Sequence, residues 1–422
     1  MTRFGELAPL WLLIALVAAA VAVAMVSRRF ALPYSVGLVL FGLGLSIVGP
    51  NVSFPISPGL LLAIVLPGLV FEAAFRTDVD VLRPAAAGIL LLAIPGVVIV
   101  AAIVAVVLSA TSGLTFTEAF LVGAMVAATD PAAVLSTFRR VRVPARLSTI
   151  VEMESLVNDG TGIVLFSLGL EMLAGGGSFG GSVVGFAVSV VGSTVLGAIF
   201  GMAAARLVGA VDDHLTELAI TVVLAYGTYL LADAFGLSGV IATLVAAGVF
   251  GRAARGGLTQ RATEAIDIVW EFAAFLLTAG VFLLVGLAMA PQTLVNAAGP
   301  IAWGIVAILI GRAIVVYGLV GTMSALVARA GHRAMSDPDP SSVTIPLPWL
   351  HVLFWAGLRG AVSVALALSL PTDLPHRELL QGIVFGVVLF TLLVQGTTAG
   401  WVVRQSGAGD GTGDRAADSA TA

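Results

Sequence analysis

Long apolar runs, interrupted at short intervals by polar stretches, constrain this chain more than any other feature. Thirteen such segments lie at about 8–26, 31–49, 55–75, 84–110, 117–137, 147–173, 180–208, 214–234, 237–254, 263–290, 297–328, 345–371 and 379–403. About 20 apolar residues in a helix cross about 30 Å of hydrocarbon. In lipid, backbone polar groups are satisfied only within helices or closed barrels. No ten-residue alternation recurs, which argues against an outer-membrane barrel. Hydrophobic residues make up 59% of the chain and charged residues 10%, where a soluble domain carries roughly 25% charge. A soluble enzyme, a disordered chain and a nucleic-acid binder are therefore excluded. The pattern predicts an all-α polytopic membrane protein with about 13 transmembrane helices. The run from Ala8 to Val26 is too long for a cleaved signal, and a second segment follows at once.

An odd number of spans puts the two termini on opposite sides. All 20 basic residues are arginine. Those in the loops and terminus on the C-terminal side number 16, from Arg28 and Arg29 through Arg404 and Arg415. The other side has Arg3 and Arg377, and two more, Arg312 and Arg359, fall inside segments. The positive-inside rule then places the N-terminus outside and the C-terminus in the cytoplasm. Cysteine is absent, which excludes disulfides and thiolate chemistry. The polar stretch 404–422 is expected to be a disordered cytoplasmic tail, after a transmembrane domain over 1–403.

An ionisable group at mid-bilayer costs roughly 2.5–3.5 kcal/mol on the lenient scale, so each is a functional candidate. The third segment has Glu72, the fifth Asp130, and the sixth Glu154 and Asp159. The eleventh and twelfth carry Arg312 and Arg359. In the sixth, Ser155 and Asp159 share one helical face, and Glu154 and Asn158 share the neighbouring one. The first pair suits a small cation or a proton; the second suits an arginine. A polar interhelical strip is the plain alternative. In the fifth, Pro131 removes a donor and drives Asp130 out of the helical region, so the helix should break and free carbonyls near Thr129. Glu72 has a plain alternative too, pairing with Arg76 one turn on. In the twelfth, Gly357 and Gly360 flank Arg359 and suggest a second interruption. Paired interruptions in two halves of a chain point to a transporter site.

The pieces Phe71-Glu72, Ala128-Thr129-Asp130-Pro131, Glu154-Ser155-Leu156-Val157-Asn158-Asp159-Gly160, Gly311-Arg312 and Gly357-Leu358-Arg359-Gly360 resemble the cation:proton antiporters of the NhaP and sodium/hydrogen-exchanger type. The resemblance implies inverted repeats with two interrupted, crossing helices. It implies a core domain, here about 84–173 and 297–403, and a dimerisation domain, about 8–75 and 180–290. It also implies homodimers in the cell membrane. Carried over residue by residue, Asp159 would bind cation and proton in turn. Asp130, Thr129, Ser155 and Glu72 would be further ligands of the transported sodium ion. Glu154 and Asn158 would be structural partners of Arg312, and Arg359 a stabiliser of the second interruption. Whether Arg312 or Arg359 pairs with Glu154 stays open at this level. The implied function is exchange of Na+, or Li+ or K+, for H+ without a cofactor, with membrane lipid as surroundings and no nucleic-acid partner.

Other classes fare worse. An intramembrane aspartyl protease would need Gly-x-Gly-Asp in a membrane helix, and the match at Gly407-Ala408-Gly409-Asp410 lies in the polar tail. A channel would need charged or carbonyl rings along a pore. An ATP-driven pump would need a GxxxxGK[ST] loop, which a chain without lysine lacks.

Overall fold

In the computed structural model each of the thirteen segments holds helix, and the described residues hold no strand. Those residues are 8–30, 32–48, 58–77, 86–175, 179–211, 213–254, 258–331 and 345–408. Helices α1 (Ala8–Arg29), α2 (Tyr34–Val48) and α3 (Pro58–Arg76) are followed by α4 (Ala86–Thr111). The fifth segment holds two helices, α5 (Phe116–Ala127) and α6 (Ala132–Val141). Next come α7 (Ala145–Leu173), α8 (Phe179–Val208), α9 (His214–Ala234), α10 (Gly239–Ala253) and α11 (Gln260–Ala288). A short α12 (Pro291–Asn296) leads into α13, which runs over Ala298–Ala313, a π turn at Ile314–Val320, and Gly321–Gly331. The twelfth segment is again split, into α14 (Leu347–Trp355) and α15 (Ala361–Leu368). Helix α16 (Arg377–Ser406) reaches into the stretch expected as tail. Residues 409–422, with Asp410, lie outside the described residues.

Among the described residues, eight helices are long and apolar enough to cross a membrane, and α2 and α10 are shorter apolar helices. Local signals start several of them. Thr115 and Glu118 form a reciprocal capping box at α5, and Asp213, Ser238 and Thr259 cap α9, α10 and α11. Asp213 lies outside the spans, and hydrogen bonds from the Thr216 hydroxyl and amide hold its carboxyl below the usual aspartate range.

Without a hydrophobic force between helices in lipid, small residues let backbones approach. Gly123 of α5 lies against the Ala101 backbone of α4, and Gly286 of α11 against the backbone of Val39 and Leu43 in α2; a Cβ at either would collide. By such contacts α4, α5, α7, α13 and α16 pack around the two interruptions, while α1, α2, α3 and α8–α11 pack largely with one another. A cavity of about 480 Å³ lies between these groups of helices. Glu72, Tyr34 and Phe275 line one wall, and Asp130, Ser155 and Asp159 the other. Arg28, Arg76 and Arg140 also border it, each in the last turn of its helix or beside it, so the cavity reaches the arginine-rich end of the molecule.

Candidate cation and proton site

Both interruptions form where the local chemistry demands. Ala128 leaves the helix with extended backbone (φ −60°, ψ 139°), and Pro131 starts α6. The second break spans Ala356–Gly360. A broken helix exposes unsatisfied amides and carbonyls, and here each break satisfies the other. The Asp130 amide donates to the Leu358 carbonyl at 2.8 Å. The Asp130 carboxylate accepts from the Ala132 amide at 2.9 Å and from the Ala361 amide at 3.4 Å. One side chain thus caps the N-terminal ends of both α6 and α15. The Arg359 guanidinium donates to the Ala127 and Ala128 carbonyls, at 3.0 and 3.2 Å, capping the C-terminal end of α5. Arg359 sits in the second break, but its charge supports the first. That differs from the expected role, because the orphan carbonyls of α5 lie within its reach.

Helix α7 supplies the neighbouring side chains. The Asn158 amide receives the Thr129 N–H at 3.1 Å and donates to the Thr129 hydroxyl at 2.6 Å. The Ser155 hydroxyl donates to the Thr129 carbonyl. Thr129 is therefore held at its amide, carbonyl and hydroxyl. Glu154 makes a bidentate pair with Arg312, whose Nη2 lies 3.0 Å from the second carboxylate oxygen and 2.8 Å from the Leu353 carbonyl. Both groups are buried. Arg312, not Arg359, is the ion partner of Glu154.

Asn158 does not pair with Arg312, which corrects the expectation for it. Both terminal nitrogens of Arg312 are already taken, while the amide and hydroxyl of Thr129, stripped of helical partners by the break, need an amide that both accepts and donates. Glu72 shares the cavity with the aspartates but is tied to Arg76 at 2.7 Å. Arg76 also reaches the Asp267 carbonyl at 2.9 Å and Glu271 at 3.4 Å.

Asp159 stands apart from these. Among the described residues no hydrogen-bond donor reaches its carboxylate, which faces the cavity beside Ser155 and Asp130. A free carboxylate, a hydroxyl and a broken backbone are hard oxygen ligands suited to a small cation or a proton.

The chain is similar to known proteins over most of its length. The family model described as sodium/hydrogen exchanger, transmembrane, matches residues 12–405. The chain belongs to the sodium/hydrogen exchanger family. It is 36% identical over 394 residues to the Na(+)/H(+) antiporter NhaS2 of Synechocystis sp., covering 93% of this chain and 70% of that one. It is 39% identical to the Na(+)/H(+) antiporter ApNhaP of Aphanothece halophytica, covering 91% and 71%. The fold matches the sodium proton antiporter MjNhaP1 from Methanocaldococcus jannaschii with a TM-score of 0.73 at 20% identity, over 94% of this chain and 97% of that one. Members of this family are membrane transporters, not enzymes.

Sequence reasoning missed one contributor and the role of another. Thr391, in the π turn Thr391–Gly396 of α16, receives the Arg359 N–H at 3.0 Å. A lone threonine in an apolar segment gives no signal. Gly360 lets Asp130 approach, since a Cβ there would overlap its carboxylate. The glycine was visible; its partner was not.

Proposed function

We propose that this chain exchanges Na+ for H+ across the cell membrane, one for one, using Asp159 as the group that takes cation and proton alternately. The observation that carries the reading is a cavity-facing carboxylate that no donor reaches among the described residues, while the other two candidate carboxylates are engaged, Asp130 by two backbone amides and Glu72 by Arg76. Ser155, Asp130, the Thr129 backbone and Glu72 are the further oxygen donors we assign to the passing ion. Glu154, Arg312, Asn158 and Arg359 hold the frame. The cation gradient or the proton gradient supplies the energy, and no cofactor is needed.

Alternating access follows if α4–α7 and α13–α16, as a core, rock against α1–α3 and α8–α11, as a dimerisation domain, in a homodimer. With the arginine-rich end in the cytoplasm and the N-terminus outside, the cavity described here is the inward-facing one. Reconstituted vesicles with a pH-sensitive dye test the reading. Adding Na+ should dissipate an imposed proton gradient in the wild type. Asp159→Asn should abolish the response while the protein still inserts. A response of normal size from that variant removes Asp159 from the role. Repeating the assay with Li+ and K+ settles the cation range.

A further inference from the structure

We infer that Thr391 is a positioning residue for the ion site, acting through the peptide group between Leu358 and Arg359. This rests on the exchange function proposed above. The N–H of that peptide donates to the Thr391 hydroxyl oxygen at 3.0 Å, and its carbonyl accepts from the Asp130 amide at 2.8 Å. The Thr391 hydroxyl hydrogen in turn goes to the Val388 carbonyl at 3.0 Å. A continuous relay therefore runs from α16 through the second break to the backbone of Asp130. Thr391 is wholly buried, and so is Arg359.

The peptide needs such a holder because it lies in neither half-helix. Residues 357–360 have no helical backbone ladder to fix their planes. A buried amide without a partner carries a desolvation cost, so the plane turns until one is found. If it turns, the Leu358 carbonyl leaves the Asp130 amide. The same hydrogen bond on the N–H polarises the group and strengthens its carbonyl as an acceptor. Thr391 thus sets both the direction and the strength of the contact that seats Asp130. It does so with a side-chain oxygen that touches neither Asp130 nor Asp159. The π turn beginning at Thr391 adds a residue to the helix at the position where the hydroxyl must face the break.

The test compares Thr391→Val, Thr391→Cys and Thr391→Ser in vesicles. Valine keeps the shape and removes the acceptor; cysteine offers a poor one; serine keeps it. The expected result is an apparent KM for Na+ raised about tenfold in the valine and cysteine variants, the scale of one lost buried hydrogen bond. The maximal rate should change far less, and serine should restore the wild-type KM. Should valine fail to insert, cysteine against serine reads the same contrast. An unchanged KM in the variants lacking the acceptor, with lowered thermal stability alone, reduces Thr391 to packing and overturns the inference. Serine failing to rescue does the same. A wild type that exchanges Na+ while the variants match it overturns this inference only; a wild type that exchanges no cation overturns the reading beneath it as well.

Discussion

Glu154 and Arg312 show what a single buried pair can be asked to do. Both lie in the interior, and each oxygen of Glu154 meets a terminal nitrogen of Arg312. Removing one partner of a buried pair leaves a charge without compensation, at about 3–5 kcal/mol. Glu154→Gln should therefore lower the melting temperature much more than Asp159→Asn, whose carboxylate meets no donor. Differential scanning fluorimetry in detergent measures both. A double-mutant cycle should give a larger coupling between Glu154 and Arg312 than between Glu154 and Arg359. Equal stability of the two single variants would show that the Glu154 pair does not hold the frame. At this scale residue type was readable from the chain; the Arg312 partner of Glu154 came from the resemblance, and the partner of Asn158 was missed. Helical spacing put Glu154 and Asn158 on one face, but a face does not say what it meets. Asn158 turned to Thr129 because a broken backbone offers a donor and a hydroxyl at once.

The broken helices were the most readable elements, for reasons local to each. Proline after Asp130 removes a donor and restricts the residue before it. Two glycines around Arg359 weaken a helix without stating where it stops. What no local signal conveys is that the two breaks complete each other, with Asp130 capping α6 and α15 and Arg359 capping α5. The π turns were equally hidden; the one at Leu92–Gly96 holds Pro95. The crossing predicts a sharp steric requirement. A methyl group at Gly360 would overlap the Asp130 carboxylate, whereas one at Gly44 of α2 meets nothing within 4 Å. Gly360→Ala should lose exchange by at least about tenfold, equivalent to one displaced cap, and Gly44→Ala should behave as wild type. Dye-based exchange rates on matched amounts of inserted protein decide it. A fully active Gly360→Ala would mean that Asp130 does not need its present seat.

At the scale of the molecule, the question is how much charge moves in a cycle. The arginine distribution and the apolar segments were enough to infer many helices and two ends of unlike charge; the cavity between two helix groups came only with the packing. Within that cavity Glu72 is held by Arg76, and Asp130 spends both oxygens on backbone amides. Asn158, next to Asp159, has no ionisable group. On the exchange role proposed for it, Asp159 is, among the described residues at the breaks, the carboxylate that no hydrogen-bond donor holds. One monovalent ion should leave for each proton that enters, so no net charge crosses. A membrane potential acts on moved charge at about 2.3 kcal/mol per elementary charge per 100 mV, and on a neutral cycle it has nothing to act upon. Vesicles carrying a potassium-diffusion potential set with valinomycin should thus show Na+/H+ exchange with the same rate and endpoint at either polarity. This requires first that the protein itself moves no K+ under those conditions. An endpoint that follows the voltage would mean that a second proton travels. Asp130 would then be releasing one of its amide contacts during the cycle, and Asp130→Asn should return the endpoint to voltage independence if any exchange survives.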